Sequence, residues 1–217
     1  MSELKKRVVS SMVILPLSFY FIIKGSVLFL SFLFFCFLIS CYEWNKMAKD
    51  RIILILGAIF LFISFYCAYS IRENLQDIGL FVFLFLIIIS ISTDIGGFTC
   101  GKIFKGPKIT KISPKKTYTG MIGSFLFSII LGLMFVNLYP NLSSFNNQSA
   151  INLILLILCL SFISQIGDLI ISYFKRISKI DNSGNLIPGH GGILDRIDGI
   201  IFVIPFFYLL NSLFKIV

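Results

Sequence analysis

The sequence predicts an all-α, polytopic integral membrane protein with about seven transmembrane helices. Of the 217 residues, 57% are hydrophobic and only 13% are charged, and the mean hydropathy is +0.96, far above the value for a water-soluble domain. The apolar residues form continuous runs close to the roughly 20 residues that a helix needs to cross a bilayer. These runs lack the alternation of barrel strands, and backbone groups in lipid must pair within their own segment, so helices are predicted.

Seven apolar runs, separated by polar connections, are the candidate spans. The first two are short, so the expected number lies between six and eight. The first run follows a basic N-terminal segment, as in a signal peptide, but a second run comes at once and no small-residue cleavage site separates them. We therefore interpret the first run as a retained span. The candidate spans are residues 8–23, 26–42, 52–70, 77–97, 119–139, 151–171 and 199–216.

The distribution of Lys and Arg predicts the orientation of these spans. When seven spans alternate across the membrane, 16 of the 19 cations fall on one side, and only Lys24, Arg72 and Lys215 fall on the other. Cytoplasmic loops are enriched in Lys and Arg. We therefore expect a multi-pass protein of the inner membrane whose N-terminus and active site face the cytoplasm. The partners of its basic loops should be anionic, and nucleic acid is not expected among them.

Residues suited to chemistry are concentrated in the second part of the chain. Residues 1–93 are predicted to be N-terminal transmembrane helices, and residues 94–217 a catalytic membrane region with cytoplasmic loops at 98–118 and 173–198. Both loops combine acidic, basic, Gly and Pro residues beside apolar spans. Because ionisable groups at membrane depth are costly, they indicate function.

The first polar segment begins at Asp94 and contains the run SPKKT. A basic loop next to a membrane often serves only topology and attraction to anionic headgroups. Here hydroxyls flank two lysines, and Pro114 favours a turn whose backbone N–H groups can meet phosphate oxygens. This composition suits a triphosphate or a phosphatidate headgroup, and the predicted binding residues are Ser113, Lys115, Lys116 and Thr117.

The second polar segment places an acid inside an apolar run. Asp168 lies near the cytoplasmic end of the sixth candidate span, where an unpaired carboxylate would cost about 3 kcal/mol. If the helix continues, Ser172, Lys175 and Arg176 follow on the same face. Two interpretations remain open for this face: a simple salt bridge between Asp168 and a lysine, or part of a site.

The run PGHGGILDRIDG, further along this segment, brings more polar residues together. Asp195 and Asp198 are three residues apart, on one helical face at the start of the last span. Together with Asp168 they could converge on a hard cation such as Mg²⁺, which neutralises nucleotide phosphates. His190 is the only histidine. Its pattern is equally compatible with a structural hydrogen bond and with a phosphate-contacting or acid/base role.

These motifs resemble the signature of the phosphatidate cytidylyltransferases, also called CDP-diacylglycerol synthases. The matching runs are SYFKR followed by SGNLIPGHGGILDRID, preceded by GDLIIS and by SPKKTYTG in the expected order. The resemblance covers roughly residues 90 to 200, and PxHGGxxDRxD after SxxKR is too long to be explained by chance.

The resemblance implies a multi-span, often dimeric enzyme of phospholipid biosynthesis that uses Mg²⁺ and a second cation such as K⁺. It would transfer the cytidylyl group of CTP to phosphatidate, giving CDP-diacylglycerol and pyrophosphate. The family's metal-binding acids fall on Asp168 and Asp195, with Asp198 close by. The other matching positions are the SPKKT residues named above, together with Ser172, Lys175, Arg176, His190, Gly191, Gly192 and Arg196.

The chain departs from the family pattern at one place. Asp181 and Asn182 stand where members usually carry Lys-Asp. The cation lost there puts a substrate contact at this position in doubt, although Lys179 lies two residues away.

Two rival functions account for part of the pattern. A CDP-alcohol phosphotransferase also uses clustered aspartates, and DRIDG resembles the start of its motif, but the chain continues IIFVIPFFYLL instead of the required Ala-Arg. A small transporter would explain an intramembrane acid and basic loops. It would not explain PGHGGILDRIDG, and its spans should carry polar residues near the midplane.

Overall fold

The protein is a bundle of helices. The computed structural model describes residues 3–75, 78–110, 113, 116–139, 149–189 and 191–216, with side chains from residue 9 onward. Within these ranges, β pairing is limited to isolated bridges between Lys108 and Thr117 and between Ile187 and Gly191. The predicted all-α class is therefore confirmed. The helices are α1 (Glu3–Lys24), α2 (Ser26–Met47), α3 (Arg51–Asn74), α4 (Gly79–Phe104), α5 (Tyr118–Leu138), α6 (Ala150–Ile177), α7 (Leu194–Ile197) and α8 (Ile200–Phe214).

Five of these helices, α2 to α6, are long and apolar enough to cross a membrane, and residues Val9–Lys24 and Ile200–Phe214 form shorter apolar helices. The polytopic prediction is confirmed. Several helices continue past the apolar runs, so the first residues of both predicted loops, 98–118 and 173–198, are helical. An apolar run marks only the part of a helix in lipid, whereas the backbone hydrogen bonds continue into the interface.

The turn between α1 and α2 is held by the end of α3. Gly25 has φ of 68°, a conformation that favours glycine. Arg72 donates hydrogen bonds from Nε to the Ile22 carbonyl (2.9 Å) and from a terminal nitrogen to the Ile23 carbonyl (3.0 Å). The last carbonyls of a helix lack partners of their own. Arg72 therefore caps α1 and joins its end to the end of α3.

Helices α4 and α5 approach each other through small residues. A Cβ at Gly96 would overlap the Gly123 carbonyl, and the Ser124 hydroxyl donates to the Thr93 carbonyl at 2.7 Å. In lipid, small residues let helix backbones come close and hydroxyls bond across the interface. This contact carries the end of α4, with Asp94, against the start of α5.

A seam of hydroxyls joins α4 to α6. The Ser90 and Ser164 hydroxyls are 3.1 Å apart, and Thr93 donates to the Ser161 hydroxyl at 2.9 Å. A Cβ at Gly199 would overlap the Ser164 hydroxyl, so the start of α8 packs on the same seam. The seam therefore brings together the three helix segments that carry Asp94, Asp168 and Asp198.

Candidate active site

A polar cavity of about 330 Å³ lies where α4, α5 and α6 meet the segment before α8. Its charged lining residues in the described part of the chain are four acids and one cation: Asp94, Lys116, Asp168, Asp195 and Asp198. Hydroxyl groups also line it, from Thr93, Ser113, Thr117 and Ser124. The described lining is thus rich in oxygen atoms that can act as ligands, and it carries more acidic than basic side chains.

Asp168 is paired with the SPKKT run. The Lys116 Nζ lies 2.6 Å from the Asp168 Oδ2 and also donates to the Gln165 carbonyl at 3.3 Å. The Ser172 hydroxyl donates to the Asp168 Oδ1 at 3.2 Å. The salt bridge considered for this acid thus exists, but its lysine comes from the loop before α5. The two polar segments, far apart in sequence, therefore form one site.

Asp198 and Asp94 complete a group of acids around Asp168. All three carboxyl groups line the same polar cavity. Burial, followed by repulsion from Asp168 and Asp94, raises the pKa of Asp198 well above its ordinary range. We call Asp94, Asp168 and Asp198 the acid cluster. Asp94 was not among the residues predicted to form the site, although it is an acid at the polar end of an apolar run, as Asp168 is.

Asp195 borders this cavity but is engaged elsewhere. Its Oδ1 lies 2.8 Å from the Lys175 Nζ, and its Oδ2 accepts hydrogen bonds from the backbone N–H groups of Ser183 (2.8 Å) and Gly192 (3.1 Å). The two side chains of the ion pair are only 12% and 7% exposed for Lys175 and Asp195. Asp195 thus holds the turn before α7 against α6.

Gly191 and Gly192 form the tight turn that precedes α7. Gly191 has φ of 92°, and its N–H donates to the Ile187 carbonyl at 3.1 Å. A Cβ at Gly192 would overlap the Ser183 hydroxyl and the Glu43 carboxylate. Gly191 is therefore required by its backbone conformation, and Gly192 by the lack of space for a side chain. The predicted residues His190 and Lys115 lie outside the described residues.

The remaining predicted residues lie around the cavity. Thr117 caps α5 by accepting a hydrogen bond from the Gly120 N–H at 3.1 Å. Arg196 lines a neighbouring apolar cavity that Asp94 also lines. Arg176 pairs with Asp181 at 2.6 Å, with side-chain exposures of 52% and 89%, so this ion pair contributes little stability.

The predicted residues therefore fall into two groups. One group lines the polar cavity: Ser113, Lys116, Thr117, Asp168, Asp195 and Asp198. The other does not line it and either supports it or lies beside it: Ser172, Lys175, Arg176, Gly191, Gly192 and Arg196. Their roles in catalysis and substrate binding stay predictions.

The donor chemistry of the cavity fits a hard divalent cation. Over the described ranges, no three Asp, Glu, His or Cys side chains stand in the arrangement of a formed metal-ligand group. The acid cluster nevertheless brings three carboxyl groups to the wall of one cavity. Carboxylate oxygens are the ligands that Mg²⁺ prefers, and a site that concentrates negative charge attracts such an ion. The predicted ligand Asp195 is bonded through both oxygens to Lys175 and to backbone N–H groups of the turn before α7, whereas the oxygens of Asp168 are bonded to Lys116 and Ser172.

Comparison with known proteins matches the chain to one enzyme family. The profile of the cytidylyltransferase family matches residues 49–214. A phosphatidate cytidylyltransferase of Rickettsia typhi is 35% identical over 208 residues, covering 94% of this chain and 90% of the relative. One from Rickettsia bellii is 33% identical, covering 98% and 93%. One from Bacillus subtilis is 38% identical over 161 residues, covering 74% of this chain and 58% of the relative.

The chain belongs to the cytidylyltransferase family. It is thus a membrane-embedded nucleotidyltransferase, as the motifs SPKKT, SYFKR and PGHGGILDRIDG indicated. The family match includes α3 to α8, and therefore every described element that lines the polar cavity. The two rival functions, a CDP-alcohol phosphotransferase and a transporter, receive no support from these relatives.

Proposed function

We propose that the protein is a phosphatidate cytidylyltransferase that makes CDP-diacylglycerol and pyrophosphate from CTP and phosphatidate. The observation that carries this proposal is that the polar cavity meets an apolar cavity at Asp94, which lines both. A site that joins a water-soluble nucleotide to a lipid needs these two surroundings side by side.

The apolar cavity has a volume of about 260 Å³ and is walled by α1 to α4, α7 and α8. Among the described residues, the charged ones that line it are Arg196 and Asp94, and Asp94 also belongs to the acid cluster. Apolar walls suit an acyl chain, and the guanidinium of Arg196 suits a phosphate because its fork of donors matches phosphate oxygens. The lipid would therefore lie in the apolar cavity with its headgroup toward Asp94, and CTP would occupy the polar one.

The reaction needs charge neutralisation more than proton transfer. An oxygen of the phosphatidate phosphate attacks the α-phosphorus of CTP, a new P–O bond forms, and the bond to the β-phosphate oxygen breaks to release pyrophosphate. Phosphatidate is already ionised at pH 7, so no strong general base is required. Lys116 and Arg196 would orient the two anionic headgroups. Gln165 lines the polar cavity, and its buried Nε2 has no hydrogen-bond partner among the described residues. This amide could therefore donate a hydrogen bond to a substrate oxygen.

The proposed synthase is tested by its product. Purified protein incubated with phosphatidate, radiolabelled CTP and Mg²⁺ should convert the label into a chloroform-soluble lipid and release unlabelled pyrophosphate. dCTP in place of CTP serves as a comparison substrate, and a reaction without phosphatidate serves as the control for transfer to another acceptor. A labelled product that is only water-soluble, or none at all, would exclude the synthase activity.

We propose that the acid cluster holds Mg²⁺ when the enzyme is loaded; a second cation such as K⁺ stays a prediction. A divalent cation supplies charge stabilisation to the phosphates in the transition state. EDTA should therefore abolish turnover, and excess Mg²⁺ should restore it. Full turnover in EDTA, with contaminating metal measured and absent, would remove the ion from the proposal.

We propose that the site opens at the cytoplasmic face of the inner membrane and that this multi-pass protein forms a homodimer. The 16 cations on one side of the predicted spans support this orientation. CTP is delivered from the same side, which is also where the lysines of the SPKKT run lie.

A further inference from the structure

Glu43 is a buried acid that the mechanism does not use. It lies near the end of α2, in the N-terminal half of the chain, and is only 1% exposed. In sequence it follows an apolar run directly, in CYEWNKM, and no motif singles it out. A buried carboxylate is stable only when its oxygens are well bonded, so its partners indicate its role.

The hydrogen-bond donors to Glu43 in the described structure all belong to the segment that connects α6 to the first residue of α7. Its Oε1 accepts a hydrogen bond from the Ile193 N–H at 3.0 Å. Its Oε2 accepts bonds from the Ser183 hydroxyl at 2.7 Å and from the Leu194 N–H at 2.9 Å. Two of these donors are backbone N–H groups at the start of α7, a position without partners inside the helix. One side chain of α2 therefore binds a segment about 150 residues later in the chain.

The same segment is bound from its other side by Asp195. Ser183 donates its hydroxyl to Glu43 and its N–H to Asp195. A Cβ at Gly184 or at Gly192 would overlap the Glu43 carboxylate, so the segment wraps closely around it. Glu43 and Asp195 thus hold one short piece of backbone between them, and Asp198 of the acid cluster lies one helical turn after this piece.

We propose that Glu43 is a positioning residue for the reaction: it sets the position of the turn before α7 and, through it, that of Asp195 and Asp198. This inference rests on the proposed function only for its effect on turnover. It also gives the N-terminal helices a part in the active site, because α2 carries the acceptor that the turn requires. The end of α2 is itself held against the end of α6, since the Ser178 hydroxyl donates a hydrogen bond to the Met47 carbonyl at 2.6 Å.

The test is Glu43→Gln, which keeps the shape but replaces one acceptor oxygen with a donor. Because both oxygens accept bonds, either orientation of the amide places a donor against a donor. We expect turnover to fall at least tenfold with the KM for CTP changed less than threefold. Amide hydrogen exchange of the peptide 183–194 should become at least tenfold faster, with exchange in α4 and α6 unchanged. The exchange result does not depend on which reaction the enzyme catalyses.

Asp50→Asn is the matched control, because it removes one charge from an exposed residue at the start of α3 that makes no side-chain capping bond. It should change neither turnover nor exchange. Ser183→Ala removes one donor and leaves both backbone bonds, so it should show the same pattern more weakly and provides a result if Glu43→Gln does not fold. Wild-type turnover in Glu43→Gln, or lost turnover with unchanged exchange at 183–194, would overturn the proposal.

Discussion

Asp168→Asn should lower turnover at least a hundredfold, equivalent to about 2.7 kcal/mol of activation free energy. Asp168 lies at the centre of the site, since it contacts Lys116 and Ser172 and lines the same cavity as Asp94 and Asp198. The asparagine side chain keeps the shape of the aspartate but lacks the negative charge that would hold a cation beside the phosphates. The measurement is single-turnover formation of labelled lipid at saturating and at limiting Mg²⁺, with the larger loss expected at limiting Mg²⁺.

The fold of this variant should survive. The side chains of Lys116 and Asp168 are 24% and 27% exposed, so Lys116 keeps some access to water when its partner becomes neutral. Thermal unfolding in detergent should therefore shift by only a few degrees, and Asp50→Asn again serves as the control for a lost charge. A folded Asp168→Asn protein with wild-type turnover at limiting Mg²⁺ would mean that the ion, if used, binds elsewhere.

Asp195→Asn should instead destabilise the protein strongly. It leaves the Lys175 ammonium, 12% exposed, without its counter-charge, and removing one partner of a buried ion pair costs about 3–5 kcal/mol. A shift of the unfolding temperature on the order of 10 °C follows for a chain of this size. Turnover should also fall, because the turn before α7 loses an acceptor for the Ser183 and Gly192 N–H groups.

A second variant separates the structural role of Asp195 from a role as a metal ligand. Adding Lys175→Met to Asp195→Asn removes the unpaired charge, so the double variant should recover a measurable part of the lost stability in a double-mutant cycle. If Asp195→Asn keeps wild-type stability and loses turnover in the manner of Asp168→Asn, Asp195 acts as the metal ligand that the family pattern implies, and its bonds to Lys175 and the turn are secondary.

The membrane class and the seven apolar segments follow from the sequence because they depend on local composition. A run of about 20 apolar residues must form a helix in lipid whatever its neighbours are. The ends of the helices were harder to predict from the sequence. Helix α4 continues to Phe104 and α6 to Ile177, beyond the apolar runs, because helical hydrogen bonding does not stop where the lipid does. The sequence also did not predict that the small residues of α4 and α5 would contact each other.

For the acids of the site, too, the sequence predicted some features and the tertiary structure was needed for others. Asp168, Asp195 and Asp198 stand out in sequence because each is an acid beside an apolar span, and the motif around them identifies the family. Their separate roles depend on which cation reaches which carboxylate. Lys116 reaches Asp168 and Lys175 reaches Asp195, and neither pairing can be read from spacing, since Lys116 is more than fifty residues from its partner.

By itself, therefore, the sequence determined that this is a helical membrane protein of the cytidylyltransferase family and which polar segments carry its chemistry, because hydropathy and motif spacing are properties of neighbouring residues. Only the tertiary structure decided that Asp94 joins Asp168 and Asp198, that Asp195 is bound to Lys175 and the turn before α7, and that Glu43 of α2 holds that turn. These facts depend on contacts across the bundle, where the cost of burying a charge forces each carboxylate to find a donor that is remote in the chain.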